Sequence, residues 1–391
     1  MKSPSPIPRT FWLDRLAAVW RRAPIVWLTG VRRAGKTTIG RQLGDKALFL
    51  NCDLPSTARR LDDPERFYAS VEEPIVVFDE VHQLPDPSRL LKIGADEHPH
   101  LRILATGSST LAATRKFRDA LTGRKRTVHL LPVLHRELPA FGVADIERRL
   151  LHGGLPQRVL EDDEDPAFYA EWLDSYFARD VQELFRVEKR QAFLRLVELA
   201  LRISGGQLEV TRLANHCRIS RPTVTNYLDV LQVTHLVTLL RPFHGGGRRE
   251  ILQQPKIYAF DTGFVAYAHG WTKLRDTDRG LLWEHLVLET LQASGAESIL
   301  YWRDKQKNEI DFVLPQRGGR CDAVECKWNS ARFSGKSLRA FRQLHPEGDN
   351  YVITAQTSPP ERRNVDEYAV VFCNLDQWED GSAQLLVERD S

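Results

Sequence analysis

Residues 25–38 read IVWLTGVRRAGKTT and decide the fold of the first part of the chain. The apolar run IVWLT predicts a buried strand, and the following segment GVRRAGKT matches G-x-x-x-x-G-K-[ST] in full, directly before a helical stretch. Such a loop turns backbone N–H groups onto phosphate oxygens, while Lys36 reaches the β- and γ-phosphates and Thr37 can ligate Mg²⁺. The stretch therefore predicts a site for ATP and Mg²⁺. The residues predicted to contact the nucleotide here are Gly30, Arg33, Ala34, Gly35, Lys36, Thr37 and Thr38.

Two further strand ends are expected beside this loop. In the run PIVVFDEVHQL, a predicted strand ends at Asp79 and Glu80. We expect Asp79 to hold the metal through water and Glu80 to polarise the attacking water, which favours hydrolysis over phosphoryl transfer. A third run, LRILATGSS, places Thr106 and Ser108 where hydroxyl groups could sense the γ-phosphate. The alternative is an acidic strand end on a kinase-like fold.

Arg124, in the segment LTGRKR, follows the third strand after one predicted helix. An arginine presented to the nucleotide of a neighbouring subunit would stabilise the charge of the transition state. Most surface arginines have no such role. The catalytic hypothesis for Arg124 therefore requires a homo-oligomer.

The middle of the chain has the pattern of a helix-turn-helix. The segment LEVTRLANHCRISRPTVTNYLDVLQVTHLVTLLRPF predicts helix, turn, helix and strand, with Ser220 as the N-cap of the second helix. The glycine-tipped segment HGGGRRE then joins two strand-like runs, which is the order of a winged helix. The residues expected to contact DNA are Arg221, Thr223, Thr225, Asn226, Arg248 and Arg249. The alternative is a module that packs against protein.

The stretch NEIDFVLPQRGGRCDAVECKW predicts a hairpin with a charged face. Residues two apart share a face of a strand, so Asp311, Glu325 and Lys327 should converge, and Glu284 of the preceding helix can reach the same place. Its carboxylates Glu284, Asp311 and Glu325 would bind Mg²⁺ or Mn²⁺, with Lys327 stabilising charge on a phosphate under attack. An ordinary charged surface hairpin, or a site that binds DNA without cutting it, are the alternatives.

Composition narrows the class of protein. The chain has 391 residues, of which 42% are hydrophobic and 27% charged, as in globular proteins of two to four domains. The N-terminal segment MKSPSPIPRTF has no apolar core and the chain has no apolar run of about 18 residues, so we expect a cytoplasmic protein without a membrane span. Five scattered cysteines without a Cys-x-x-Cys pair favour reduced thiols over disulfides or zinc.

The order of the motifs is similar to that of one protein family. The segments GVRRAGKTT, FDEVH, TGSS, LTGR, HGGLPQ, YFARDV, PKIYAFDTG, WEHLV, YWR, EIDFVL and VECKW resemble the prokaryotic AAA-type ATPases whose C-terminal domain was long catalogued as of unknown function. The resemblance implies an ATPase module, a winged helix and a C-terminal fold similar to restriction-endonuclease-like nucleases of the PD-(D/E)xK type. Ile310 stands where that motif has proline.

The predicted fold class is α/β. It comprises a P-loop AAA-type parallel-sheet ATPase domain in residues 1–150, a helical lid or linker in 151–200, a winged helix in 201–275 and a restriction-endonuclease-like α/β domain in 276–391.

The leading functional hypothesis is a cytoplasmic, Mg²⁺-dependent ATPase that binds DNA, including branched or forked DNA, and remodels it or translocates on it. Its C-terminal domain would be nuclease-like. The second hypothesis is a nucleotide-dependent regulatory switch that binds DNA or protein and has no nuclease activity. A P-loop kinase is a weaker third, since the sequence shows no pocket for a phosphate acceptor.

Overall fold

The computed structural model describes residues 6–107, 115–161, 163, 165–182, 185, 187–244, 254–356 and 358–388. The predicted site residues Ser108, Arg248 and Arg249 lie outside these ranges.

The described helices are α1 (Thr10–Trp20), α2 (Lys36–Gln42), α3 (Pro55–Arg60), α4 (Pro64–Ala69), α5 (Pro87–Glu97), α6 (Arg115–Ala120), α7 (Ile146–His152), α8 (Pro156–Leu160), α9 (Pro166–Tyr176), α10 (Arg190–Arg202), α11 (Val210–Cys217), α12 (Arg221–Val233), α13 (Thr262–His269), α14 (Asp276–Ser294), α15 (Gly335–Leu344), α16 (Leu375–Glu379) and α17 (Ser382–Glu388). The described strands are β1 (Ile25–Thr29), β2 (Ala47–Asn51), β3 (Ile75–Asp79), β4 (Arg102–Thr106), β5 (Lys125–His129), β6 (Val237–Leu240), β7 (Lys256–Ala259), β8 (Leu300–Arg303), β9 (Glu309–Pro315), β10 (Cys321–Lys327), β11 (Asn350–Thr354), β12 (Glu361–Val365) and β13 (Tyr368–Cys373).

The first sheet is parallel and has the strand order β2-β3-β4-β1-β5. Every residue of β1 is buried, as expected for a strand covered by helices on both faces. The carboxyl ends of the strands meet at one edge, where Leu28 lies beside Thr106 and Phe78 beside Ala105. The predicted parallel sheet is therefore confirmed, and the three predicted strand ends lie together.

In the middle part, helices α11 and α12 are joined by a short turn at the positions where helix, turn and helix were predicted. Ser220 caps α12, since its hydroxyl accepts a hydrogen bond of 3.3 Å from the backbone N–H of Thr223. Strands β6 and β7 follow and pair antiparallel, with Val237 opposite Ala259. The connection between them, where the hairpin HGGGRRE was predicted, lies largely outside the described residues.

The C-terminal part is a second α/β unit around a mixed six-stranded sheet with the order β12-β13-β11-β10-β9-β8. Strand β9 is antiparallel to both of its neighbours, β8 and β10, whereas β10, β11 and β13 are parallel. Helix α14 anchors to the sheet because the indole of Trp283 donates a hydrogen bond of 3.0 Å to the carbonyl of Ile353. Helix α15 buries Leu338 and Phe341 in a separate apolar cluster that includes Val352.

The three parts share one apolar core. The largest buried cluster includes Trp12 of α1, Trp172 of α9, Leu228 of α12 and Trp283 of α14. Burial of such large side chains stabilises the contacts between the parts by roughly 1.5–3 kcal/mol per side chain. No helix in the described ranges is long and apolar enough to cross a membrane.

A buried polar network crosses this core. Arg149 of α7 is 2% exposed and donates a hydrogen bond of 2.6 Å to Glu289 of α14, and a second of 3.0 Å to the hydroxyl of Thr262. Asp261 accepts hydrogen bonds from the backbone N–H groups of Gly154 (2.6 Å) and Gly263 (2.8 Å). These contacts tie the end of the first part to both of the others.

The glycine pair of the motif HGGLPQ is explained by the same network. A Cβ atom on Gly153 would lie 2.0 Å from a carboxylate oxygen of Asp261, and one on Gly154 would lie 2.3 Å from the guanidinium of Arg149. Gly153 also has a positive φ of 82°. Larger residues would therefore displace the network.

Replacing Arg149 by Met should destabilise the protein by about 3–5 kcal/mol, because Glu289 would be left as a buried carboxylate without its partner. The matched control is Arg202→Met, which removes an arginine from an exposed pair with Glu198 and should cost about 0.5 kcal/mol or less. Urea denaturation of both variants measures the difference. Equal midpoints for the two variants would contradict the assignment.

Candidate functional site

A cavity of about 670 Å³ opens at the carboxyl edge of the first sheet. Its volume suits a small-molecule ligand of nucleotide size. The predicted nucleotide-contacting residues among its lining are Gly30, Arg33, Gly35, Lys36, Thr37 and Thr38, together with Glu80. The structure therefore brings most of the predicted phosphate site to one cavity.

The loop before α2 has the backbone that the motif requires. Gly30 has φ +145° and a Cβ atom there would lie 2.4 Å from the carbonyl oxygen of Leu130, while Gly35 has φ +102°. Arg33 also lies in the left-handed region, with its guanidinium 5.7 Å from the ring centre of Phe168. Only glycine fits the first of these positions without strain.

Lys36 lies across its own loop. Its ammonium donates hydrogen bonds of 2.9 Å and 3.1 Å to the carbonyl oxygens of Gly30 and Val31. Desolvation lowers the pKa of Lys36, and the nearby carboxylates of Glu80 and Asp180 oppose that effect. The ammonium is thus held at the mouth of the loop, where phosphate oxygens would replace the carbonyls as its acceptors.

Asp79 organises the strand ends. One of its carboxylate oxygens accepts a hydrogen bond of 2.9 Å from the hydroxyl of Thr37, and the other accepts one of 2.7 Å from the hydroxyl of Thr106. The hydroxyl of Thr106 also accepts the backbone N–H of Glu80 at 3.0 Å. The hydroxyl of Thr37 and the carboxylate of Asp79 are oxygen donors of the kind that would hold Mg²⁺ beside a phosphate group, Asp79 through water.

Thr106 has a different place from the one predicted. It is fully buried and is not among the residues that line the cavity, because its hydroxyl points at β3. Its hydrogen bonds therefore orient Asp79 and Glu80.

Glu80 borders the cavity in a left-handed backbone conformation, with φ 55°. A carboxylate oxygen lies 3.3 Å from Nδ1 of His82, and the side chain is 33% exposed. Desolvation raises the pKa of Glu80, while Lys36 and His82 lower it. Because this carboxylate is partly solvated and borders the cavity next to the phosphate loop, it is suited to orient a water molecule.

Arg9 is a residue that sequence reasoning missed. It is 2% exposed, forms an ion pair of 2.6 Å with Glu137 and donates a hydrogen bond of 2.9 Å to the carbonyl of Ala34 in the phosphate loop. Arg9 also donates to the carbonyls of Leu131 and Pro132, both at 3.1 Å. Since Arg9 is 128 residues from Glu137, no local pattern indicates the pair.

The middle part also reaches the cavity. Asp180, in the π-helical turn Phe177–Gln182, lies 3.2 Å from Arg32 of the phosphate loop. Thr234, directly after α12, lines the cavity and shares a hydrogen bond of 2.6 Å with Tyr176. The end of α12 therefore lies against the nucleotide cavity, a placement that its sequence does not indicate.

The next residue, His235, contacts the carboxyl ends of β1 and β5. Its ring nitrogen Nε2 lies 2.8 Å from the hydroxyl of Thr29 at the end of β1, and its ring stacks on His129 with 4.2 Å between ring centres. Burial lowers the pKa of His235 to about 4, so the ring is neutral near pH 7.

Arg124 lies beside the amino ends of β1 and β5, whereas the cavity opens at the carboxyl ends of the strands. It precedes β5, its carbonyl accepts the N–H of Ile25 at the start of β1, and its guanidinium forms an ion pair of 2.5 Å with Asp96. Because the cavity lies at the opposite ends of these strands, Arg124 does not reach the nucleotide site of its own chain. The predicted role would need a second subunit.

Four of the predicted DNA-contacting residues lie in the described part of the chain, at the start of α12. Arg221, Thr225 and Asn226 are exposed and Thr223 is partly exposed, while Val224 and Leu228 face the core. The helix thus presents the polar face that was predicted.

The predicted carboxylate cluster of the C-terminal part is brought together. Strands β9 and β10 pair with Val324 opposite Phe312, so the next positions place Glu325 opposite Asp311. The ammonium of Lys327 lies 2.6 Å from Glu325 and 3.5 Å from Asp311. Burial raises the pKa of Glu325 to about 7, with a further contribution from Asp311.

Lys256 of β7 is a second residue that sequence reasoning missed. Its ammonium lies 3.0 Å from Glu284 and 2.6 Å from Glu309. Tyr258 also donates a hydrogen bond to Glu284. Although burial alone would lower it, the pKa of Lys256 is raised well above its usual value by Glu284 and the other carboxylates.

These lysines bear on the predicted metal site. In the parts of the chain that the structure describes, no group of three or more His, Cys, Asp or Glu side chains is arranged to hold a metal ion. Lys256 is bonded to Glu284, and Lys327 lies between Glu325 and Asp311. The residues converge as predicted and hold lysine ammonium groups between them, and the Mg²⁺ or Mn²⁺ site at Glu284, Asp311 and Glu325 stays a prediction.

Replacing Arg9 by Lys should weaken ATP binding about tenfold or more, because one hydrogen bond from a charged group to the loop carbonyl of Ala34 is lost. Titration with a fluorescent ATP analogue measures the affinity. Arg21→Lys, on the exposed end of α1, is the matched control and should bind as wild type does. Unchanged affinity in both variants would show that Arg9 does not support the loop.

Comparison with known families identifies an AAA domain in the first part of the chain and domains of unknown function in the other two parts. Residues 22–139 match the family described as AAA domain. Residues 143–275 match a domain of unknown function, DUF8612, and residues 279–373 match another, DUF4143. The AAA match confirms the prediction of an AAA-type P-loop domain, whereas winged-helix and nuclease-like identities stay predictions.

Similar proteins share most of the chain. The uncharacterized protein Rv2008c of Mycobacterium tuberculosis is 30% identical over 338 residues, which cover 83% of this chain and 75% of that protein. The uncharacterized protein MJ1544 of Methanocaldococcus jannaschii is 22% identical over 320 residues, covering 73% of this chain and 70% of that protein. Among solved structures, the Walker-type ATPase PABY2304 of Pyrococcus abyssi is 16% identical with a TM-score of 0.45, covering 68% of this chain and 96% of that one. The chain therefore belongs to the same family as the mycobacterial protein Rv2008c, with an AAA-type P-loop ATPase domain in its first part.

Proposed function

We propose that the protein is a Mg²⁺-dependent ATPase that binds DNA and uses ATP hydrolysis to remodel it or to translocate on it. The observation that carries the ATPase proposal is the placement of Asp79 between Thr37 and Thr106, with Glu80 next to it at the cavity. A carboxylate suited to hold a metal and one suited to orient water beside the same phosphate loop support the proposal.

Each residue has a definite task in this proposal. Lys36 would exchange its two loop carbonyls for phosphate oxygens and would neutralise charge on them. Thr37 and Asp79 would hold Mg²⁺, which supplies charge neutralisation on the β- and γ-phosphates. Glu80 would orient the attacking water and accept its proton. Arg9 would keep the loop in shape through Ala34.

Helix α12 supports the link to DNA. Its start carries the exposed Arg221 and Asn226, and its end leads to Thr234 in the nucleotide cavity. A helix of 13 residues spans about 20 Å. A shift of this helix on DNA would therefore move a residue that borders the nucleotide, and the linkage must act in both directions.

The second candidate function is a nucleotide-dependent switch that binds DNA or protein without continuous turnover. The place of Thr234 at the cavity and the contact of His235 with Thr29 of β1 favour it equally, since they can transmit nucleotide occupancy without hydrolysis. Turnover separates the two candidates, because the motor hydrolyses ATP faster on DNA and the switch does not.

Glu80→Gln should reduce ATP turnover by about 100-fold or more while ATP binding is kept, because general-base assistance is lost and the phosphate loop is intact. Phosphate release, measured with and without duplex, forked and four-way-junction DNA, tests this expectation. Glu72→Gln, an exposed carboxylate on the same domain, is the control. Turnover in Glu80→Gln equal to that of wild type would refute the assignment of Glu80, and absence of DNA stimulation in wild type would favour the switch.

Arg221→Ala should weaken DNA binding and reduce the slope of log affinity against log salt by about one, if Arg221 contacts a phosphate. Fluorescence anisotropy of labelled duplex at several salt concentrations measures both quantities. Arg59→Ala, an exposed arginine on α3 of the first domain, is the control with the same change of charge. An identical effect of the two substitutions would argue against α12 as the DNA-contacting helix.

A further inference from the structure

We propose that Lys256 is the resident cation of the C-terminal carboxylate cluster, so that the folded chain holds this cluster without a divalent metal. The cluster consists of Glu284, Glu309, Asp311 and Glu325. A site of this kind stabilises the junction between the middle and C-terminal parts, and it does not carry out metal-dependent cleavage.

Lys256 is buried and forms ion pairs with two carboxylates. Its side chain is 4% exposed, and its ammonium lies 3.0 Å from one oxygen of Glu284 and 2.6 Å from one oxygen of Glu309. The same oxygen of Glu284 accepts the hydroxyl of Tyr258. A divalent ion that took this oxygen as a ligand, at the distance of about 2.0–2.6 Å found in Mg²⁺ and Ca²⁺ sites, would have to displace the ammonium from it. Lys256 therefore competes with a metal for this oxygen of Glu284.

The backbone fixes Lys256 in this place. In β7 it pairs with Leu240 of β6 on one side, and it forms a bridge with Gln207 on the other. Its ammonium also lies 5.7 Å from the ring centre of Tyr301. Because the strand is held from both sides, the backbone of Lys256 cannot move away from the carboxylates without rearrangement of the middle part.

The charges of the cluster are nearly balanced without a metal. The four carboxylates face the ammonium groups of Lys256 and Lys327, and Arg303 lies 3.1 Å from Glu309. One negative charge is left over. A divalent ion added beside Lys256 would face a fixed positive charge within a few ångströms, which opposes its binding. Removing Lys256 would leave two negative charges and free Glu284 and Glu309 beside Asp311.

Titration of the full chain with Mn²⁺, without nucleotide, tests the proposal, with free Mn²⁺ followed by electron paramagnetic resonance. Wild type should show no site that depends on Asp311. Lys256→Met should gain one Mn²⁺ site per chain. Its affinity should be at least about tenfold higher than that of any Mn²⁺ binding by wild type, because a fixed cation has been removed from the carboxylates. The double variant Lys256→Met, Asp311→Asn should lose that site. Lys273→Met, an exposed lysine of the middle part, is the matched control and should bind as wild type does.

Two results would overturn the proposal. The first is a site of one Mn²⁺ per wild-type chain that Asp311→Asn removes, and this comparison is informative even if Lys256→Met does not fold. The second is a folded Lys256→Met protein, judged by circular dichroism, that gains no Mn²⁺. Because the titration contains neither ATP nor DNA, its outcome is independent of the proposed ATPase function, which phosphate release tests separately.

Discussion

The buried ion pair between Arg149 and Glu289 is the contact on which the arrangement of the three parts depends. Both side chains are almost without solvent access, and a charge of this kind is stable in the interior only when it is paired and hydrogen-bonded. Arg149 also reaches Thr262, and the adjoining glycines leave room for Asp261. One guanidinium thus joins the end of the ATPase domain to the segment after β7 and to α14 of the C-terminal part.

The nucleotide site depends on a similar use of buried charge. Arg9 and Glu137 form a pair beneath the phosphate loop, and Arg9 holds the carbonyl of Ala34. Asp79 is bonded on both oxygens by threonine hydroxyls, so its position is set before any ligand arrives. Such preorganisation lowers the cost of binding a charged ligand, since little of the site has to be reordered.

The middle part contacts both functional sites. Its helix α12 leads to Thr234 at the nucleotide cavity, and its strand β7 carries Lys256 into the carboxylate cluster. The two contacts lie on elements that are only 22 residues apart in the chain and are joined through the β6–β7 pair. A change in the position of this part would therefore reach the two sites through covalently connected strands, which is the physical basis required for coupling.

The sequence by itself determined the features that depend on local spacing. The phosphate loop, the acidic end of β3, the cap of α12 and the shared face of Glu325 and Lys327 all follow from motifs or from the period of a strand or helix. Only the tertiary structure decided what those groups contact. Arg9 meets Glu137, Lys256 meets Glu284 and Thr106 turns toward Asp79, although the partners lie 27 to 128 residues apart. Burial enforces these pairings because a buried charge or hydroxyl must find a partner among whichever residues the packed core places beside it, and no local pattern in the sequence records that choice.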